Sequence, residues 1–224
     1  AHLYWRSHMP ERNQPFAKAQ ALGLDVWMTE FYYGDYLIRK GRHDDEIALA
    51  GKDTNAFTPI DRTLSLARIQ HDSLTQANVN AWLFWWALSP SNKKVQALLT
   101  SNEAYEKTDG PITAGWYAHK WAYGLGQFSK FVRPGSVRVE ANLESKIPDI
   151  HASAYQRPDG RLTLVVINSG DQASMLNIER TDQPTTQKWA LWRTSEKEDL
   201  ARLAELEGSR VRLPARSITT LVAR

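Results

Sequence analysis

The residue that most invites chemistry is Glu30, which closes the apolar run Ala21-Leu22-Gly23-Leu24-Asp25-Val26-Trp27-Met28-Thr29-Glu30. A glycine followed by Leu24, Val26, Trp27 and Met28 reads as a short strand buried on both faces, as in a parallel sheet. In strand-helix architectures, catalytic side chains stand at the C-terminal tips of such strands, where the departing loops wall the substrate cleft. A carboxylate there is a candidate catalytic group. Position alone leaves open that Glu30 merely marks the solvated end of a strand.

Aromatic residues gather around the same region. The chain holds nine tryptophans. Seven of them (Trp5, Trp27, Trp82, Trp85, Trp86, Trp116 and Trp121) fall in the first 121 residues, with Tyr4, Phe31, Tyr32, Tyr33 and Tyr36. Aromatic faces match the apolar C–H faces of pyranose rings while their polar edges stay wet, so those near strand tips are candidate sugar platforms. Trp116 and Trp121 read as core packing inside a helix.

Composition removes other chemistries. The chain has no cysteine, which excludes disulfides and thiolate metal sites. Its six histidines are scattered, with no close zinc-type pair, and neither metal nor cofactor is expected. The formal net charge of +3 is mild and acidic residues are interspersed with basic ones, so no polybasic run argues for nucleic acid. No apolar segment approaches the roughly 20 residues that span a bilayer. At 224 residues with 42% hydrophobic content, the chain can build one large domain or two small ones.

The elements that must position these residues follow in order. Ala1-His2-Leu3-Tyr4-Trp5 alternates like the end of a strand; without a methionine or signal sequence before it, the chain reads as a fragment or a processed product. A helical segment is expected from Pro15 to Leu22, then the strand to Glu30, then a long polar segment between Phe31 and Phe57. Thr58-Pro59 starts a helix, with threonine as cap, proline in the first turn and Asp61 three residues on. Its buried stripe is Leu64, Ala67 and Leu74, and it should run to about Ala77. Asn78 to Pro90 is the next buried strand and its exit, and a second long helix is expected from about Pro111 to Phe131. Strands alternating with helices imply parallel strands joined by right-handed crossovers.

At Arg133-Pro134-Gly135 the hydrophobic period changes from 3.6 to 2. Val137 to Val139, Ala152 to Tyr155, Leu162 to Ile167, Met175 to Ile178, Lys188 to Trp192 and Ile218 to Val222 read as short strands, separated by turns such as Pro158-Asp159-Gly160. This spacing predicts an antiparallel sandwich of roughly 90 residues. The expected domains are therefore 1–133 and 134–224, the fold class α/β plus all-β. The sandwich shows few exposed-looking aromatics apart from Trp189 and Trp192, and is expected to brace its neighbour rather than to bind substrate.

Three strings together resemble glycoside hydrolase family 30: Trp27-Met28-Thr29-Glu30 closing a strand, Ala81-Trp82-Leu83-Phe84-Trp85-Trp86 as the next strand, and the run from Tyr123 to Arg138 at the domain junction. That family includes endo-xylanases, glucosylceramidase-like enzymes and 1,6-linked glucanases and galactanases. The resemblance implies the C-terminal part of a (β/α)8 TIM barrel, about strands six to eight, followed by a side β-sandwich, and a retaining mechanism. It places Glu30 at the nucleophile, His2 and Tyr4 on a His-x-Tyr pattern at the end of strand six, and Trp85 on the strand-eight tryptophan beside the cleaved bond. Trp86 and Tyr33 join as substrate-binding candidates by proximity.

A retaining glycosidase needs two carboxyl groups about 5 to 5.5 Å apart. The family's acid/base follows an asparagine at the end of strand four, and this chain starts at strand six. Asn102-Glu103 lies in a polar stretch and does not end an apolar strand. The expectation is that a second polypeptide or a missing N-terminal segment completes the barrel, since three strands cannot close one and would leave the apolar faces of Leu24, Val26 and Leu83 without partners. The reading that follows is a secreted or periplasmic retaining hydrolase of a β-linked polysaccharide or glycoside, with this chain carrying the nucleophile half. The alternative is a non-catalytic or degenerate carbohydrate-binding fragment. After the strand-eight position the family's glucuronate-reading enzymes carry an arginine-rich loop; here Ser89-Pro90-Ser91-Asn92-Lys93-Lys94 argues against that specificity.

Overall fold

A computed structural model describes residues 2–3, 16–31, 58–89, 97–101, 115–144, 147–181 and 188–224. They fall into two compact units, one within Ala1–Phe57 and Ile69–Ala122, the other within Thr58–Arg68 and Tyr123–Arg224.

The first unit is built on a parallel sheet of three strands, β1 (His2–Leu3), β2 (Trp27–Phe31) and β3 (Ala81–Phe84), in that order. Residues 16–21 are helical before β2. The helix stops where the backbone of Gly23 turns to a φ of +68°. Gly23 N–H donates to the Gln20 carbonyl at 2.9 Å and Leu24 N–H to the Ala19 carbonyl at 3.0 Å, the paired bonds that satisfy the last carbonyls of a helix ending on glycine. From the same turn, the Gln20 side-chain amide donates to the carbonyls of Ala77 and Asn78 at 3.0 and 3.1 Å.

The apolar strands at Glu30 and at Trp82 read in sequence as buried on both faces, and in the structure they are buried on one. Val26, Met28 and Phe31 are buried, whereas Leu24 is 58%, Trp27 55% and Leu83 44% exposed. One face of the sheet is therefore covered and the other carries open apolar side chains. After β3 come β4 (Leu88–Ser89), β5 (Leu99–Ser101) and β6 (Trp116–Ala118), a small sheet in which β4 and β5 are parallel and β5 and β6 antiparallel. The helix expected from Pro111 begins only after this strand. Gly115 is a poor helix former and Trp116 and Tyr117 suit a pleated strand, so pairing with β5 wins locally. Trp116 is correspondingly 42% exposed rather than packed in a core.

Helix α1 (Pro59–Thr75) begins where threonine, proline and aspartate predicted. Thr58 N–H and its hydroxyl both donate to Asp61 Oδ2 at 2.8 Å, so the carboxylate three residues into the helix supplies the side-chain-to-cap half of a capping box. Leu64 and Ala67 are buried as expected. The polar positions Thr63, Ser65, Gln70 and Asp72 are buried too, which a single apolar stripe does not foretell.

In the second unit, α2 (Lys120–Ser129) runs into the sandwich strands β7 (Val137–Val139), β8 (Ile150–Gln156), β9 (Leu162–Asn168), β10 (Ser174–Asn177), β11 (Lys188–Thr194), β12 (Ala201–Arg202), β13 (Leu206–Glu207), β14 (Arg210–Leu213) and β15 (Ser217–Ala223). The main sheet has the order β12-β11-β15-β9-β8-β7, with β13 also on β11, while β10 and β14 form a two-stranded antiparallel sheet. Between the sheets lies the core of Ile150, Val166, Ile178, Trp189, Leu191, Val211, Leu213 and Leu221. Trp189, which looked exposed in sequence, is 1% exposed.

The central strand β15 is buried along its whole length. Leu221 and Ala223 face the core. The alternate side chains meet helix: Thr220 Oγ1 donates to the Gln127 carbonyl at 2.9 Å, and Ile218 packs near Gly124. At that point α1 and α2 touch, because a Cβ built on Gly124 would lie 2.5 Å from Thr63 Cγ2. At the start of α1, Arg216 Nη2 lies 2.7 Å from Asp61 Oδ1 and donates to Thr58 Oγ1 at 3.2 Å. Thr163 and Thr219 are fully buried as well.

Candidate active site

The parallel sheet of the first unit brings His2, Glu30 and Trp85 into adjacent positions. In backbone register, His2 on β1 pairs with Glu30 on β2, and Leu3 with Phe31. Across β2 and β3, Trp27 pairs with Ala81, Met28 with Trp82 and Phe31 with Phe84. From Met28 to Phe31 β2 advances three residues while β3 advances two, so Thr29 and Glu30 together oppose Leu83. This is a β-bulge, and it breaks the alternation that would otherwise fix the face on which Glu30 lies. Bulges are a common way to re-aim one side chain at the rim of a sheet. Glu30 is partly buried, on a strand whose neighbours Met28 and Phe31 are 1% and 4% exposed.

Both ends of the β2–β3 pair are fastened. At the entry, Asn80 N–H donates to the Val26 carbonyl at 2.8 Å, and Val26 N–H returns a 2.8 Å bond to Asn80 Oδ1. The asparagine side chain thus continues the ladder one step beyond the strand. At the exit, Trp85 N–H donates to the Phe31 carbonyl at 3.0 Å. Below the bulge the Phe31 ring packs against Trp82 and Phe84, with centroids at 5.2 and 6.1 Å.

Trp85 and Trp86 follow immediately, joined by a cis peptide. Their rings meet edge to face, 4.5 Å between centroids and 65° between planes, an arrangement aromatic quadrupoles favour. They are 38% and 39% exposed, so each is half seated in protein and half open to a ligand. Tyr4 and Tyr33 lie outside the described residues. Among the described residues no group of three or more His, Asp or Glu side chains could hold a metal ion.

Residues 135–221 match the family model of the glycosyl hydrolase family 30 beta sandwich domain. Over its whole length the chain is similar to the C-terminal portion of glycoside hydrolase family 30 proteins. Along its whole length it is 25% identical to glucuronoxylanase XynC of Bacillus subtilis, over 227 residues that make up 45% of that protein. It is also similar to the solved structure of the family 30 subfamily 8 xylanase Xyn30A from Clostridium acetobutylicum, at 26% identity and a TM-score of 0.68, over 99% of this chain and 47% of that one. A conserved exported protein from Bacteroides fragilis shares the fold at a TM-score of 0.75 and 23% identity, over 99% of this chain and 45% of that one. The chain thus spans less than half the length of these relatives.

Sequence reasoning named the strand, its carboxylate and the tryptophans, but missed the bulge, because a bulge is a relation between two strands. It also missed Asn80, which reads in sequence as part of the buried strand from Asn78, whereas the structure starts β3 at Ala81 and uses the Asn80 side chain as an acceptor for Val26. The hydrogen-bonded pair Thr100 and His119 was missed for the same reason: the two are brought together only by the pairing of β5 with β6.

Proposed function

We propose that the complete protein is a retaining glycoside hydrolase of a β-linked polysaccharide or glycoside, with Glu30 as its nucleophile. The observation that carries this reading is the bulge at Glu30, on the middle of three parallel strands, beside His2 on one neighbour and fastened to Trp85 on the other. In this mechanism Glu30 attacks the anomeric carbon from one face while a second carboxylic acid protonates the departing oxygen. The glycosyl-enzyme ester is then cleaved by water that the same second group activates, so the anomeric configuration is retained. Trp85 and Trp86 supply apolar walls for the sugar rings, and His2, Tyr4 and Tyr33 are the further candidates for substrate contact.

The second carboxylate and the remaining strands of a (β/α)8 barrel would come from residues outside this chain, whether a segment preceding it or a second polypeptide. The open apolar side chains of Leu24, Trp27 and Leu83 support that reading, since barrel closure would cover such a face. The names of the relatives include a glucuronoxylanase and a xylanase, which makes xylan the first substrate to test. The loop that argued against glucuronate recognition lies largely outside the described residues. An exported relative agrees with a protein working outside the cytoplasm. Among the described residues no helix is long and apolar enough to cross a membrane.

The test is proton NMR of the first product formed from xylan oligosaccharides by the assembled enzyme. A β-anomer appearing first, before mutarotation, and its loss in Glu30→Gln, support the assignment. An α-anomer, or undiminished turnover in the variant, refutes it. A sugar-binding protein without catalysis is the second reading, favoured by the half-exposed tryptophan pair; it predicts saturable binding of the same oligosaccharides with no product.

A further inference from the structure

We propose that Thr100 and His119 are positioning residues that set the angle of the Trp85–Trp86 pair toward substrate. The inference rests on the reading of those tryptophans as sugar walls. Trp85 is fixed to β2 through the Phe31 carbonyl; Trp86 is fixed elsewhere. Its carbonyl accepts from Leu98 N–H at 2.9 Å, and the Ala87 carbonyl from Leu99 N–H at 3.0 Å, so the segment leaving the tryptophans is laid along β5.

The strip from Ala97 to Thr100 is itself held at three points. The Ala97 carbonyl accepts from the Trp121 indole N–H at 2.9 Å. The Leu98 carbonyl accepts from His119 N–H at 2.9 Å. Thr100 Oγ1 and His119 Nε2 share a hydrogen bond of 3.1 Å. The two rings that make these contacts are stacked on each other, 4.1 Å apart and 5° from parallel. Ala97 and Thr100 are fully buried, and His119 and Trp121 are half-buried.

The consequence is geometric. Leu98 joins the clamp to the tryptophans through a single peptide-to-peptide step on each side: its N–H engages Trp86, its carbonyl engages His119. A change in the Thr100–His119 bond moves the level at which Trp86 leaves β3, while Trp85 stays tied to β2. The angle between the two rings is what a sugar surface would read. The clamp itself contacts no substrate; it acts through Trp86.

The experiment measures xylotetraose binding by calorimetry on the full chain, assembled with its completing segment where one is required, for wild type, Thr100→Val, Thr100→Ser, Trp86→Ala and the double variant Thr100→Val/Trp86→Ala. Valine keeps the volume and removes the hydroxyl; serine restores it. The expected results are an about fivefold weaker affinity for Thr100→Val, as for loss of one neutral hydrogen bond's orienting effect, recovery in Thr100→Ser, and a double variant no weaker than Trp86→Ala alone, since residues acting through one another are not additive. The near-ultraviolet circular dichroism of the tryptophan pair should change in Thr100→Val and return in Thr100→Ser. An unchanged affinity and spectrum in Thr100→Val overturns the proposal, as does an equal further loss in the Trp86→Ala background. If Trp86→Ala binds as well as wild type, the sugar-wall reading fails by itself, and the spectra alone then decide whether the clamp sets the pair.

Discussion

The backbone N–H of Trp85 donates to the carbonyl of Phe31 at 3.0 Å, which ties the first tryptophan of the aromatic wall to the residue next to Glu30. The carboxylate and the wall therefore share one rigid strand pair. An error in the register of β3 would displace both together, and the bulge at Thr29–Glu30 depends on that same register.

Glu30→Gln keeps the size of the side chain and removes the nucleophile's charge. Turnover of a natural β-linked substrate by the assembled enzyme should fall by roughly 10⁴-fold, in the range seen when a nucleophile is removed while binding persists. The same variant should bind oligosaccharide within a few-fold of wild type, as measured by calorimetry.

Asn80→Ala removes the acceptor for Val26 N–H and leaves that donor without its 2.8 Å partner. The expected cost is about 1–2 kcal/mol of stability, read from urea unfolding. Because this bond lies at the opposite end of β2 from Glu30, kcat should change less than the unfolding midpoint does.

Gly124→Ala tests a close helix–helix approach in the second unit. The added methyl would meet Thr63 Cγ2 at 2.5 Å, and Thr63 is fully buried, with its hydroxyl bonded to the Pro59 carbonyl at 2.7 Å. Overpacking of this kind costs about 1–3 kcal/mol, so the melting temperature should drop, whereas Ala122→Gly in the same helix should cost only its propensity, about 1 kcal/mol.

The half-buried His151 and the buried Asp61 give the second unit an acid-sensitive stability. Burial, and secondarily the positive charge of Arg68, lowers His151 from 6.5 to about 4; Arg68 and His151 are in side-chain contact. The unfolded chain therefore binds a proton that the native one refuses between about pH 6.5 and 4. Stability is full above that window and declines as pH falls through it, by at most ~1.36 kcal/mol per pH unit. Burial tends to raise Asp61, but the N–H and hydroxyl of Thr58 and the charge of Arg216 outweigh it and hold the carboxyl below its ordinary value. Its contribution is present above the unfolded value of 3.8 and is lost as pH falls below it. His151→Phe should flatten the upper part of the melting-temperature profile and leave the lower part. Arg216→Ala, which strands the Asp61 carboxylate, should lower stability at neutral pH and reduce the loss in acid.

Much of this organisation was readable because local chemistry and tertiary context agree. Thr58-Pro59-x-Asp61 is a helix start by its own hydrogen bonds, and the structure uses it so. The alternating strands from Leu162 and Lys188 are found within a residue or two of where period 2 placed them. Arg210-Val211-Arg212-Leu213 alternates as well, yet its shortness and its two arginines hid β14. The short β12 and β13 have no period of their own and exist only because β11 offers an edge. Trp116 failed as a helix residue because pairing with Ser101 overrides propensity. At the site, residue types were legible while relations between strands were not: the bulge opposite Leu83, the His2–Glu30 register and the Thr100–His119 clamp each need two segments in space.

The most direct test of the central claim is a covalent trap. An activated 2-deoxy-2-fluoro-xyloside carries a leaving group that departs without protonation, so it needs the nucleophile but not the acid/base carboxylate. Peptide mass spectrometry of the assembled enzyme after exposure should place the fluoroglycosyl ester on Glu30, with labelling abolished in Glu30→Gln. A label on another carboxylate, or a preparation that hydrolyses substrate yet carries no label at Glu30, would contradict the account.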